Sequence, residues 1–173
     1  FKVRSCSIPL ELLKNLPEAL RGADWKVTTT VWGSRKVLGV ERGNTTAACY
    51  GAAVDVGTTK IAMFLLNLST GKTISVSSLS NPQVSYGEDV ISRIGYAMRG
   101  PRERGELQDM VINGVNDLIS QCCLRGKVNP RNIYEITVVG NTVMHHLLLG
   151  VDPKNLALSP YVPAVREPLN VQA

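Results

Sequence analysis

Leu10, Leu13 and Leu16 recur at helical spacing behind Ser7, which predicts a short helix with Ser7 as its N-cap and with Pro17 ending or restarting it. Residues 25–32, dense in Val and Thr, and residues 36–41 read as two strands with Gly33-Ser34 as their turn. The first 47 residues therefore form a small α+β unit. Gly43-Asn44 marks the change to a second region that begins near Tyr50.

From Gly51 the pattern becomes three β-like runs, at 52–56, 60–68 and 72–79, with turns at Gly57-Thr58-Thr59 and Ser69-Thr70-Gly71. After Asn81-Pro82, two apolar stripes predict amphipathic helices. One holds Val90, Ile91, Ile94, Ala97 and Met98; the other holds Leu107, Met110, Val111, Val115, Leu118, Ile119 and Cys122. Residues 133–139 are almost wholly apolar, the pattern of a buried central or parallel strand, and 142–149 read as a short helix stopped by Gly150. The resulting class is α/β with the order βββαβα, a ribonuclease H-like lobe spanning 50–173 behind the small α+β unit of 1–47. A right-handed helical crossover would bring the fourth strand beside the first. Fold alone does not assign function.

Composition narrows the classes. At 173 residues, 44% hydrophobic and 19% charged, the chain can bury one domain plus a small appendage and is too apolar for disorder. No apolar run reaches bilayer length and the start lacks a signal peptide, so a cytoplasmic protein without membrane association is expected. The net charge of +5 is scattered and few aromatics accompany it, which argues against a nucleic-acid partner. Cys6, Cys49, Cys122 and Cys123 lack metal-site spacing. Asn44 and Asn67 fit a glycosylation pattern but read as turn residues. The first residue is not methionine and the last follow a Pro-rich stretch, so the chain is expected to be a piece of a longer protein.

The chemistry concentrates at the first of the three turns. Asp55 ends a strand and Gly57-Thr58-Thr59-Lys60 follows, placing one carboxylate beside a tight hairpin with exposed backbone N–H groups. Gly57 lets a ligand approach without a Cβ, Thr58 and Thr59 can donate to phosphate oxygens, Asp55 can hold a hydrated Mg2+, and Lys60 adds a cation. A bare motif of this kind also reads as a strand end and turn. Its position between the first two strands of a meander favours the site.

Asp55-Val56-Gly57-Thr58-Thr59 resembles the first phosphate-binding hairpin of the superfamily of acetate and sugar kinases, heat-shock chaperones and actin. Ser80-Asn81-Pro82-Gln83, residues 87–94 (GEDVISRI) and residues 139–153 (VGNTVMHHLLLGVDP) narrow the likeness. Together they resemble the ATP-dependent reductive activators of corrinoid proteins. This resemblance implies ATP and Mg2+ as cofactors, a corrinoid (cobalamin-binding) protein as partner, and a [2Fe–2S] cluster in an N-terminal domain outside this chain. It also implies that residues 1–47 belong to a middle domain and 50–173 to the first lobe of an actin-like ATPase domain. In that frame Asp55 and Asn141 are catalytic candidates, Asp55 also associating with the metal, while Gly57, Thr58, Thr59, Lys60, Gly140 and Thr142 face the nucleotide. The implied activity returns an oxidised Co(II) corrinoid to Co(I) at the expense of ATP. A homodimer is compatible with it, and the isolated segment, with half an ATP site, is expected to turn over little ATP. Lys60 stands where many relatives carry threonine.

Other residues have competing readings. Asn141 serves either as a site residue near Asp55 or as a helix cap. His145 and His146 project about 100° apart on a helix and read as structural, Glu88 and Asp89 suit a helix N-terminus, and Cys122 and Cys123 fill apolar space. Two further functions stay open. One is a corrinoid-protein docking module in which nucleotide acts as a conformational switch. The other is a metal-dependent nuclease, which would need several converging carboxylates where only Asp55 is placed.

Overall fold

The structure is a computed structural model that describes residues 5–171. Its N-terminal unit packs helix α1 (Leu10–Arg21) against an antiparallel hairpin, β1 (Val27–Trp32) and β2 (Lys36–Arg42). The helix start differs from the expected one. Ser7 is drawn toward β2, its N–H and hydroxyl donating to the Arg35 carbonyl and its own carbonyl accepting from the Val37 N–H. With Ser7 committed there, α1 begins after Pro9 and has no side-chain cap. Pro17 neither ends nor restarts α1. Leu13 and Pro17 are both exposed, so water can satisfy the carbonyl that the missing N–H leaves free. Leu10 and Leu13 also face solvent, while Leu12, Leu16, Ala19 and Leu20 form the half-buried side.

The lobe follows the expected α/β class and order. Strands β3 (Tyr50–Val56), β4 (Lys60–Asn67) and β5 (Thr73–Ser80) form an antiparallel meander, and β6 (Ile133–Gly140) joins β3 in parallel, giving the order β5-β4-β3-β6. Between β5 and β6 lie a short 3-10 turn (Pro82–Tyr86), α2 (Val90–Ala97) and the long α3 (Pro101–Gly126). Helix α4 (Thr142–Leu148) follows β6 and ends before Gly150, whose φ of 67° lies in the left-handed region. Asn44 and Asn67 are turn residues as expected, each side-chain oxygen accepting from N–H groups two or three positions on.

Alternation along the strands decides which face is buried. Ala52, Val54 and Val56 on β3 and Ile61, Met63 and Leu65 on β4 face one way and meet the α3 stripe of Leu107, Val111, Leu118 and Cys122. Burying one such large apolar side chain contributes roughly 1.5–3 kcal/mol, so this interface is the main cohesive element of the lobe. The stripe runs past Gly114, whose missing side chain lets Ile61, Leu79 and Pro82 close to 3.6 Å of where a Cβ would stand. Cys122 and Cys123 are buried beside it, filling space as expected.

The opposite sheet face is open, with Phe64, Val76 and Val139 exposed. Strand β6 is parallel, in line with the expectation; among the described residues it pairs with β3 alone, and Val139 is 58% exposed.

Candidate functional site: the β3–β4 hairpin

Parallel pairing sets Asp55 opposite Val139 and Val56 opposite Gly140, so the ends of β3 and β6 reach the same height. The hairpin tip Gly57-Thr58-Thr59 and the start of α4 are thereby brought together. Asn141 joins them, its Nδ2 donating to Thr58 Oγ1 at 3.1 Å while its Oδ1 accepts from the Met144 N–H at 3.0 Å. One amide thus caps α4 and touches the hairpin tip.

Each carbonyl at the tip is taken from behind. Asn81 Nδ2 donates to Gly57 O at 2.8 Å, Arg93 Nη2 donates to Thr58 O, and the Asn81 N–H donates to Thr59 O at 2.8 Å. The Gly57 N–H closes the hairpin on Lys60 O at 3.0 Å. The N–H groups of Thr58 and Thr59 have no acceptor among the described residues. Such a nest of free donors suits an anion. A Cβ on Gly57 would stand 2.6 Å from Lys60 O, so only glycine permits this tight return, and one on Gly140 would stand 2.9 Å from Val56 O.

Beneath the tip lies a polar network built from residues of the Ser80–Gln83 and 87–94 motifs. Asn81, Gln83 and Arg93 are buried, with no unsatisfied buried side-chain nitrogen or oxygen among the described residues. Asn81 Oδ1 accepts from the Gln83 N–H, Gln83 Nε2 donates to Leu107 O, and Gln83 Oε1 accepts from Arg93 Nη1 at 3.3 Å. Arg93 Nε donates to Gly87 O at 2.8 Å, and Met144 Sδ of α4 lies 3.4 Å from Nη1. Burial pulls the Arg93 guanidinium below its ordinary pKa, with the Asp89 charge opposing. A signal was present in the sequence. Arg93 falls among Val90, Ile94 and Ala97, on the inward stripe of α2, where a charge is out of place unless it has buried acceptors.

The remaining candidates separate. Asp55 is exposed on the open sheet face beside Ala53, Phe64, Thr137 and Val139, and makes no hydrogen bond or ion pair among the described residues. Lys60 is exposed at the start of β4, and Thr142 is exposed at the start of α4. Asp89 caps α2 by accepting from the Ser92 N–H at 2.8 Å, and that bond, with one from Ser92 Oγ, holds its carboxyl below the usual carboxylate range. His146 is buried, its Nδ1–H donating to Thr142 O at 2.8 Å and its Nε2 accepting from the Ala164 N–H at 3.1 Å. It secures the segment after α4, and His145 lies edge-on to it at 6.2 Å between ring centroids. Both histidines have structural surroundings.

The family model of the RACo middle region matches residues 50–173, the whole lobe that carries this hairpin. The chain belongs to the RACo family. A second RACo model, that of the linker region, matches residues 2–47, so the family's term middle region attaches to the lobe and linker to the unit before it. Among curated relatives, the corrinoid activation enzyme RamQ of Eubacterium limosum is 27% identical over 184 aligned positions, covering 96% of this RACo chain and 31% of that protein. Among solved structures, a reductive activator for corrinoid, iron-sulfur protein superposes with a TM-score of 0.81 at 35% identity, over 92% of this chain and 26% of that one. This RACo segment thus spans about a third or less of the relatives it matches. Among the described residues no helix is long and apolar enough to cross a membrane.

Proposed function

We propose that the parent protein is an ATP-dependent reductive activator of a corrinoid protein and that this segment supplies its first phosphate-binding hairpin. The observation that carries the reading is the hairpin tip itself. With the carbonyls of Gly57, Thr58 and Thr59 engaged from behind, the Thr58 and Thr59 N–H groups are left as free donors beside a glycine-lined approach. These features fit a polyphosphate. The exposed, unpaired Asp55 fits a hydrated Mg2+, a hard cation that prefers carboxylate and water oxygens. Lys60, Gly140, Asn141 and Thr142 border the same end of the sheet and complete this half of a nucleotide site.

Bound ATP would supply the free energy that reduction of Co(II) to Co(I) requires. The residues of this segment orient the phosphates, hold the hairpin in one shape and associate with the metal. Hydrolysis then alters contacts with the corrinoid partner only as far as ATP-bound and product-bound states differ in affinity for it. The electron would come from a [2Fe–2S] domain elsewhere in the parent, which we place in the cytoplasm, and the lobe would be the first of an actin-like ATPase domain.

The test is anaerobic ATP hydrolysis by the full-length parent, with and without a Co(II) corrinoid protein, for wild type and Asp55→Asn. Corrinoid-stimulated turnover that falls about 10- to 100-fold in the variant is expected. Hydrolysis that ignores the corrinoid protein would remove the assigned partner. Absence of hydrolysis under every condition would replace the reading with a docking module.

A further inference from the structure

Arg93 is 0% exposed, yet its polar contacts are with neutral atoms: the carbonyls of Thr58 and Gly87, Gln83 Oε1 and Met144 Sδ. Among the described residues it makes no ion pair. The nearby Asp89 carboxylate is committed to the cap of α2. A brace for the hairpin needs no charge, since the neutral amide of Asn81 performs that task beside it on the Gly57 carbonyl. Burying a guanidinium without a carboxylate is costly, and the cost is offset when an anion comes within reach of its field. The free Thr58 and Thr59 N–H groups mark where that anion would bind: the Thr59 N–H is the other end of the peptide group whose carbonyl Arg93 holds, and the Thr58 N–H lies one peptide before it.

We propose that Arg93 is the positioning residue of the phosphate hairpin. It pins the Thr58 carbonyl inward, which leaves the neighbouring N–H groups directed at the ligand, and it places a positive charge without a directly bonded carboxylate beneath a polyphosphate. The inference rests on the nucleotide reading of the hairpin given above. Gly87 belongs to the device, because a Cβ there would stand 2.7 Å from Ser92 Cβ and 2.9 Å from Arg93 N, displacing the carbonyl that receives Nε. The bond that the Ser92 N–H donates to the Asp89 carboxylate fixes the first turn of α2 and so the height at which Arg93 enters the network.

The experiment measures binding of Mg2+ with a non-hydrolysable ATP analogue to the full-length protein across a range of salt concentrations, for wild type, Arg93→Lys and Arg93→Gln. Arg93→Gln is expected to bind about 10- to 100-fold more weakly, with a shallower salt dependence because a positive charge near the phosphates is lost. Arg93→Lys retains the charge and loses the planar fork, so it should keep the wild-type salt slope at an intermediate affinity. A folded Arg93→Gln protein that binds within about 2-fold of wild type would reduce Arg93 to a brace and overturn the proposal. If Arg93→Gln does not fold, Arg93→Lys decides: wild-type affinity overturns the proposal, and weakened affinity with an unchanged salt slope upholds it. Failure of the wild type itself to bind the analogue would overturn the hairpin reading, and this inference with it.

Discussion

Asn141 and Thr58, 83 positions apart in the chain, are joined by a 3.1 Å hydrogen bond that ties the start of α4 to the tip of the β3–β4 hairpin. The same Asn141 side chain caps α4 through the Met144 N–H. The two functions can be separated, because the carboxylate of Asn141→Asp can still cap the helix and accept from the Thr58 hydroxyl but sets a negative charge beside the N–H groups that would hold an anion. Asn141→Asp should hold the thermal stability of the full-length protein near wild type and weaken nucleotide binding. Asn141→Ala should lower both, with a stability loss of about 1 kcal/mol. Denaturant unfolding paired with analogue binding checks this, and equal effects from the two substitutions would contradict the division of roles.

Glycines in the lobe divide by what surrounds them. A Cβ on Gly57 would collide with the Lys60 carbonyl at 2.6 Å, whereas one on Gly105, within α3, would meet nothing within 4 Å. Gly57→Ala should therefore cost about 1–3 kcal/mol through backbone displacement and distort the hairpin. Gly105→Ala should stabilise the helix by about 0.5–1 kcal/mol. Opposite signs in chemical denaturation are the expected result.

Alkaline pH should loosen the N-terminal unit from the lobe. The Tyr134 hydroxyl on β6 donates to the Glu41 carboxylate on β2, and burial together with that carboxylate pushes the phenol from 10.0 up to about 12. A pKa raised on folding stabilises the protein fully below pH 10 and ceases to do so as pH rises toward 12. Tyr134→Phe should remove this part of the pH dependence and weaken the contact already at neutral pH. Hydrogen exchange of β2 amides at neutral pH, paired with denaturant unfolding followed from below pH 10 up to about pH 12, compares the variant with wild type. Equal protection in the two proteins would show that the bond contributes nothing.

Much of the lobe was legible because its signals are local. Strand runs closed by Gly57-Thr58-Thr59 and Ser69-Thr70-Gly71, and apolar stripes at helical spacing, locate β3 to β5 and α2 to α4 within a few residues. The small N-terminal helix was misread where a distant element intervened. Ser7 has the chemistry of a cap, but β2 claims it, and Pro17 is tolerated because the carbonyl it strands faces water. The buried network was hidden for a related reason. Asn81 and Arg93, twelve positions apart, converge on Gly57, Thr58 and Thr59, with Gln83 bonded to Arg93 behind them, only when α2 packs beneath the hairpin.

Taken alone, the amino-acid order determined the α/β class, the hairpin with its one free carboxylate, and the family through extended motifs, because turn chemistry and periodicity act over a few residues. The tertiary structure decided that β6 joins β3 in parallel at the height of the hairpin, and that a buried cation with neutral hydrogen-bond partners stands behind that hairpin. Those properties depend on which distant groups share a desolvated space, and a hydrogen bond or a buried charge acquires its energy from that shared space rather than from its neighbours in sequence.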